Sequence, residues 1–417
     1  MKTVAGIDIH KSMQAVVVRL VRNGQVVYEQ RKFGGTVSEI LMMRDWLQEL
    51  GVEEVAMEST AQYWRPVWYW LEGKFGLHLC HPLQNRAKGG RKSDFRDARR
   101  LADRWSAGEL DDSFVPGAEQ REWRALTRAR VQYKRAITIM RNHVECILER
   151  DSIKITSVVS DVFGASGWAV LEKLAAGERR LDELVKGLRG QLQKKEAMIR
   201  EALAGKLTSS GLLLLRNCMQ NVAQLRRQVE SINEELGRQM KAYTKELVRL
   251  TKVPGIDLYA AQELLAEIGP KAAAFPSADQ FASWVGLCPG SKQSAGVNYS
   301  SRSAKGNPYL RRLLCQVAWG AIHTKNSFFK GLFARLKPRI QGKGAAWAVA
   351  HRIGKVVWLL LHDEVEYIEK GTGVNPQNLA RKFRRIVKEL ARNGMDPREL
   401  LAQAVTSKAT LRASATA

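Results

Sequence analysis

Apolar residues in the first part of the chain fall into short runs with a period of two. "TVAGIDI", "MQAVVVRLV" and "GQVVYEQRKF" each read as a strand, and the "RNG" between the last two reads as a hairpin turn. The period then lengthens. "TVSEILMMRDWLQELG" keeps its apolar residues on one helical face, opens on a Thr or Ser cap and closes on glycine. "VEEVAMES" returns to the strand pattern, "QYWRPVWYWLEGKFG" to the helical one with a disturbance near Pro66, and "LHLCHP" is a short fifth strand. Asn85 to Lys92 is basic and holds a glycine pair, so it reads as a loop, and Ser93 is a suitable N-cap for the helix that follows.

Three strands in a meander, then helix, strand, helix, strand, is the order found in ribonuclease-H-like domains. Beyond them the pattern is helical. Glu119 to Arg150 reads as one long helix, and a helical region broken at Gly164, Gly167 and Gly177 follows. Leu215, Met219, Val222, Leu225, Val229, Ile232, Leu236, Met240, Tyr243 and Leu247 then recur by threes and fours. That is an a/d seam of about four to five heptads. It fits either a dimerising coiled coil or an antiparallel pairing with the 119–150 helix. "TKVPGIDLYAAQELLAEIG" breaks this helix at Pro254-Gly255 and looks like the second half of a helix–hairpin–helix, whose turn can face a phosphate. The tail "KATLRASATA" reads as disordered. The expected fold class is α/β plus α: a ribonuclease-H/RuvC-like domain over 1–110, a helical coiled-coil region over 111–250, a mainly helical domain over 251–370, and a basic extension and tail over 371–417.

Charge narrows the partners. The 417 residues carry 67 Lys and Arg against 42 Asp and Glu, a formal +25. Such an excess suits nucleic acid or an anionic membrane surface. No stretch approaches the roughly 18 uninterrupted apolar residues of a spanning helix, and "MKTVAGIDIHK" turns polar too soon for a signal peptide. A cytoplasmic nucleic-acid partner is the expectation, with no membrane. The five cysteines never form a C-x-x-C pair, which fits reduced thiols rather than a disulfide framework or zinc ribbon.

Against that basic background four acids stand out. Asp8 sits in the first strand, where an unpaired carboxylate is costly to bury without a cation. Glu58 ends the fourth strand, which lies beside the first in a ribonuclease-H-like sheet. Asp94 and Asp97, in "RKSDFRDARRLADRW", stand three apart at a helix start and so share a face. Hard divalent ions take such oxygen donors, and two-metal phosphoryl chemistry needs several of them around ions about 3.5–4 Å apart. Mg²⁺ is the expected cofactor. Arg91, Lys92, Arg96, Arg99 and Arg100 would draw in the phosphate backbone.

The second informative stretch is "FASWVGLCPGSKQSAGVNYSSRSAKGNPYLRRLLCQVAWGA", rich in Ser, Gly and Lys before a helix capped by Asn307 with Pro308 first. It reads as a mobile hydroxyl-rich loop beside a basic helix, with Arg302, Lys305, Arg311 and Arg312 as candidate backbone contacts. Lys325, Lys330, Arg335, Lys337 and Arg339 extend that basic surface. Together with "GIDIHK", "MEST…YW", "K-x-D-x-x-D-A", "VFGASGWAVL", "VPGI…A…LLAEIG" and "K-G-N-x-x-LRR-LL", the chain over roughly residues 3–365 resembles a family. It is that of the bacterial insertion-sequence transposases joining a RuvC-like D-E-D-D domain to a serine-bearing transposase domain, guided by a structured bridge RNA. The resemblance implies that Asp8, Glu58, Asp94 and Asp97 bind metal. It implies that Ser294 attacks DNA to give a 5′-phosphoserine-type linkage, and that double-stranded DNA and a noncoding guide RNA are the partners. It also implies dimers paired into tetramers, with each site shared between subunits. Where the family reads Ser-Gly, this chain reads Ser294-Ala295-Gly296, and Ser291 is the alternative nucleophile.

A serine hydroxyl needs activation, no histidine stands beside Ser294, and a metal cluster would answer that need. The expected function is RNA-guided DNA recombination. Two rivals share the features: a RuvC-like metal-dependent junction nuclease without serine chemistry, and a non-catalytic nucleic-acid-binding scaffold.

Overall fold

The computed structural model describes residues 2–59, 61–82, 85, 93–190, 192–290, 292–294, 297–300, 302–369, 371, 384–389, 392 and 394, with backbone only for 292–294 and 297–300. The expectations for Arg91, Lys92, Ser291 and the C-terminal tail lie outside the described residues. Two units divide the chain, Met1–Pro116 and Gly117–Ala417. Among the described residues no helix is long and apolar enough to cross a membrane.

The first unit is a five-stranded mixed sheet in the order β3-β2-β1-β4-β5. Its strands are β1 (Val4–Ile9), β2 (Met13–Arg22), β3 (Gln25–Gly34), β4 (Glu54–Glu58) and β5 (Gly76–Cys80), with helices α1 (Val37–Glu49), α2 (Trp64–Leu71) and α3 (Asp94–Ser106). The first three strands form an antiparallel meander, and β4 and β5 join β1 in parallel. This is the order the alternation predicts. Period two sorts β1 cleanly. Ala5, Ile7 and Ile9 enter a core with Ile40, Met43 and Leu47 of α1 and Val67, Trp68 and Leu71 of α2. The tryptophans of α2 belong to that core, with Trp64 and Trp68 meeting edge to face. On the opposite face, Ala56 and Cys80 pack with Leu101 of α3.

The second unit begins with two long antiparallel helices, α4 (Ala118–Arg150) and α9 (Ser209–Gln239), which pack along each other. The a/d seam is therefore satisfied at least in part within the chain: Leu215, Met219, Val222 and Leu236 are buried, whereas Leu225, Val229 and Ile232 are half-buried. Short helices α5 (Ile155–Val158), α6 (Ala165–Ala176), α7 (Leu181–Val185) and α8 (Glu196–Ala202) close a cluster around Leu148, Leu171, Ile199 and Leu215.

The seam does not run unbroken to Leu247. A 3₁₀ turn at Lys241–Tyr243 separates α9 from α10 (Thr244–Thr251). No glycine or proline causes it. Tyr243 meets Trp123 edge to face at 5.0 Å and donates to Glu119 at 3.0 Å, so tertiary contacts override the helical period.

The remainder is α11 (Leu258–Ile268), α12 (Ala278–Val285), β6 (Lys292–Ser294), β7 (Val297–Ser300), α13 (Pro308–His323) and α14 (Phe328–His362). α11 is buried over nearly its whole length. The turn before it does not present a free helix end. Asp257 caps α11 through Ala260 N at 2.8 Å, and Gly255, at φ +86°, lies where a Cβ would stand 2.4 Å from Val317 O of α13. The turn of the helix–hairpin–helix pattern is thus a packing joint.

Candidate functional site

Alternation also sets the other face of β1, where Gly6 and Asp8 point away from the main core. A Cβ at Gly6 would stand 2.0 Å from Ala98 O and 2.8 Å from Ala102 N. Glycine therefore lets the backbone of α3 lie directly on β1, one pleat from Asp8. Ala98, Leu101 and Ala102 bury that contact. The first turn of α3, bearing Asp94 and Asp97, is thereby brought toward the end of β1. Ser93 precedes the helix with extended backbone but makes no side-chain cap bond.

The acids converge with a histidine that sequence reasoning passed over. His10 Nε2 is 3.3 Å from Asp8 Oδ2 and 3.6 Å from Asp94 Oδ1. Asp8, His10 and Asp94 each offer a ligand atom, all within 4.8 Å of one another. Among the described residues this is the one such group, and Asp97 and Glu58 fall outside it. The "GIDIHK" motif held the signal, since His10 follows Asp8 by two.

Asp97 accepts from Arg100 at 2.9 Å, and Arg100 also donates to Asn85 O at 3.2 Å. Asn85 Nδ2 reaches Glu58 Oε2 at 3.4 Å. Glu58 follows Met57, the residue paired with Ile7, so it extends the strand register to the level of Asp8. Lys32 Nζ lies 3.3 Å from Asp94 Oδ2. His10, Lys32, Asn85 and Arg100 are thus the polar frame around the four acids.

The electrostatics suit a cation. Burial pushes the Asp8 carboxyl above its usual range, and the charges of Asp97 and Asp94 push the same way, while His10 opposes them. An acid that is costly to ionise, facing two more acids, is what a divalent ion relieves. The donor set of carboxylate oxygens and one imidazole nitrogen fits such an ion.

The basic candidates divide. Arg96 and Arg99 are exposed on α3, with Arg99 over the Tyr28 ring at 3.7 Å and 3.6 Å from Asp103. Arg100 braces Asp97, as above. In the second unit Arg311 donates to Ala304 O at 2.9 Å and Lys305 O at 2.6 Å, and Arg312 to Glu263 and Gln316, each at 2.7 Å. Both arginines brace the fold. Arg302 and Lys305 are exposed.

The serine segment is not an open loop. β6 and β7 form an antiparallel hairpin with pairs Gln293↔Asn298 and Ser294↔Val297, so Ser294 ends the first strand at the turn. Asn307, between this hairpin and α13, is held at both ends of its side chain. Its Oδ1 caps α13 by accepting from Tyr309 N and Leu310 N, and its Nδ2 donates to Glu267 Oε2 at 2.8 Å. Glu267 is buried and takes a two-pronged bond from Arg128 of α4, at 2.7 and 2.9 Å, with Arg124 3.5 Å away.

Two stretches of the chain match family models. Residues 5–151 match the IS110 DEDD family model described as "Transposase", and residues 248–333 match that of the "Transposase IS116/IS110/IS902 family". A Pseudomonas aeruginosa protein described as "Probable family 20 transposase" is 26% identical over 340 residues, covering 78% of this chain and 88% of that one. Among solved structures, Thermus thermophilus RuvC in complex with a Holliday junction substrate aligns over 27% of this chain and 100% of its own, at 14% identity and a TM-score of 0.20.

Proposed function

We propose that this chain, which belongs to the IS110/IS116 family of transposases, cuts and rejoins DNA through a serine ester with the assistance of a divalent metal ion. The observation that carries this reading is the gathering of Asp8, His10 and Asp94 within 4.8 Å. Mg²⁺ would be held there by Asp8 and Asp94, with Asp97 and Glu58 completing the acid set. A bound ion supplies Lewis-acid stabilisation of charge on a phosphoryl oxygen.

The Ser294 hydroxyl would form the new O–P bond as the P–O3′ bond of DNA breaks, and the departing 3′-oxygen takes up a proton. Rejoining is the reverse: a 3′-hydroxyl attacks the phosphoserine and returns the serine. No high-energy cofactor is consumed, because one phosphodiester replaces another. Position 294 at a hairpin turn suits a nucleophile that must reach a backbone. A structured guide RNA would choose the DNA by base pairing, and the working particle would be a homodimer or homotetramer.

The test is to incubate the protein with Mg²⁺ and DNA carrying an element end, then separate under denaturing conditions. A covalent protein–DNA adduct that Ser294→Ala abolishes is the expected result. An adduct that survives in Ser294→Ala moves the nucleophile, with Ser291 next to be changed. Metal-dependent cutting by the wild type with no adduct supports the junction-nuclease reading instead. RNA sequenced from protein expressed with its flanking DNA tests the guide.

A further inference from the structure

The start of α14 carries cations without anions. Lys325, Lys330 and Arg335 line a cavity of about 610 Å³ together with Asn326 and Gly331. Lys337 and Arg339 continue along the helix, and Lys343 follows just beyond a break at Ile340–Gln341, where Gln341 adopts φ +60° and ψ 173°. Pro338 stands two residues before this break. The basic segment is therefore a short arm, and its charged side chains are exposed.

Two facts separate this arm from an ordinary solvated face, where signs are mixed. α14 contains no Asp or Glu over its 35 residues. Among the described residues, none of Lys325, Lys330, Arg335, Lys337 and Arg339 has an ion pair, whereas Arg124, Arg128 and Arg312 of the same unit are all paired. An acid at the start of α14 is already engaged. Glu369 accepts from Phe328 N at 2.8 Å, Gly371 N at 3.0 Å and the Tyr367 hydroxyl at 3.0 Å. It thus occupies the N-terminus of α14 and leaves the lysines and arginines uncompensated.

We infer that this groove and the first half of α14 bind the sugar-phosphate backbone of nucleic acid. The run from Lys330 to Arg339 spans about 13.5 Å of helix, and that length of duplex presents about eight phosphate charges. The inference rests on the reading that the chain handles nucleic acid, but not on its metal or serine chemistry.

The experiment therefore uses the full chain in EDTA. Binding is measured from 50 to 200 mM KCl to a labelled random-sequence DNA duplex and, separately, to a single-stranded RNA. The test variant is Lys330→Gln/Arg335→Gln/Lys337→Gln, and the control is Lys206→Gln/Lys241→Gln/Lys245→Gln, exposed positions elsewhere. Three lost phosphate contacts should flatten the log–log salt slope by about 2.7 for duplex or about 2.1 for a single strand. Across this fourfold salt range the wild type should then lose about 40-fold more duplex affinity, or about 18-fold more RNA affinity, than the variant. The ligand whose slope changes identifies the strand held there. Lys337→Gln alone should remove about a third of the effect. Unchanged slopes on both ligands, or an equal change in the control, overturn the inference. Absence of any wild-type binding overturns it together with the nucleic-acid reading.

Discussion

Replacing Gly6 by alanine tests how the acid cluster is assembled. The added methyl would stand 2.0 Å from Ala98 O and 2.8 Å from Ala102 N, both backbone atoms of α3. No side-chain rotation relieves that contact. Restoring an ordinary separation of 3.4 Å requires α3 to move off β1 by about 1.4 Å. Overpacking of this kind costs about 1–3 kcal/mol, which lowers the melting temperature of a unit this size by on the order of 10 °C. Asp94 and Asp97 ride on the displaced helix while Asp8 stays on β1. A misplacement of about 1 Å can cost on the order of 10²-fold in rate. Calorimetry of the purified chain and its Mg²⁺-dependent strand cleavage are the assays. A Gly6→Ala protein with wild-type melting and wild-type cleavage would refute the claim that close contact between β1 and α3 builds the site.

Other outcomes follow from the same geometry. Glu267→Ala strips the partner from Arg128 and Arg124 and the anchor from Asn307; a loss of about 3–5 kcal/mol is expected on denaturant unfolding. Burial pushes the Cys80 thiol up to about 12, aided by Asp112 and Glu58, while Cys146 is exposed; a maleimide should label Cys146 quickly and Cys80 only on unfolding. Burial makes the Asp8 carboxyl hold its proton more tightly in the metal-free fold than an ordinary carboxyl does. Its contribution to stability is therefore full below the ordinary carboxylate range and lost as pH rises through the raised value. Protons compete with Mg²⁺ for this carboxylate, so calorimetric Mg²⁺ affinity should weaken as pH falls toward that value, and Asp8→Asn should abolish the binding.

Much of the first unit was legible because alternation is a strong local signal. The β1 pattern placed Asp8 opposite the core, and the strand order put Glu58 beside it. The i, i+3 spacing set Asp94 and Asp97 on one face. What brought them together was less visible: Gly6 matters only once α3 is known to cross it. His10 and Lys32 were passed over because an imidazole or ammonium beside an acid is ordinary in sequence and informative only in space. Asn85 lay within a stretch read only as a basic loop. In the second unit the heptad pattern found α9 but could not say which helix filled its seam, nor that Tyr243 would end it against Trp123. Arg311 and Arg312, candidate phosphate contacts, also bond the Ala304 and Lys305 carbonyls and Glu263. A partner as distant in sequence as Glu263 leaves no local trace.

The most direct test of the metal site is a Mn²⁺ titration followed by electron paramagnetic resonance, with wild type, Asp8→Asn and Asp94→Asn compared at neutral pH. Loss of the free-ion signal in the wild type, with saturation at one or two ions per chain, and its persistence in both variants is the predicted result. Equal uptake by all three proteins, or none by the wild type, would contradict the account.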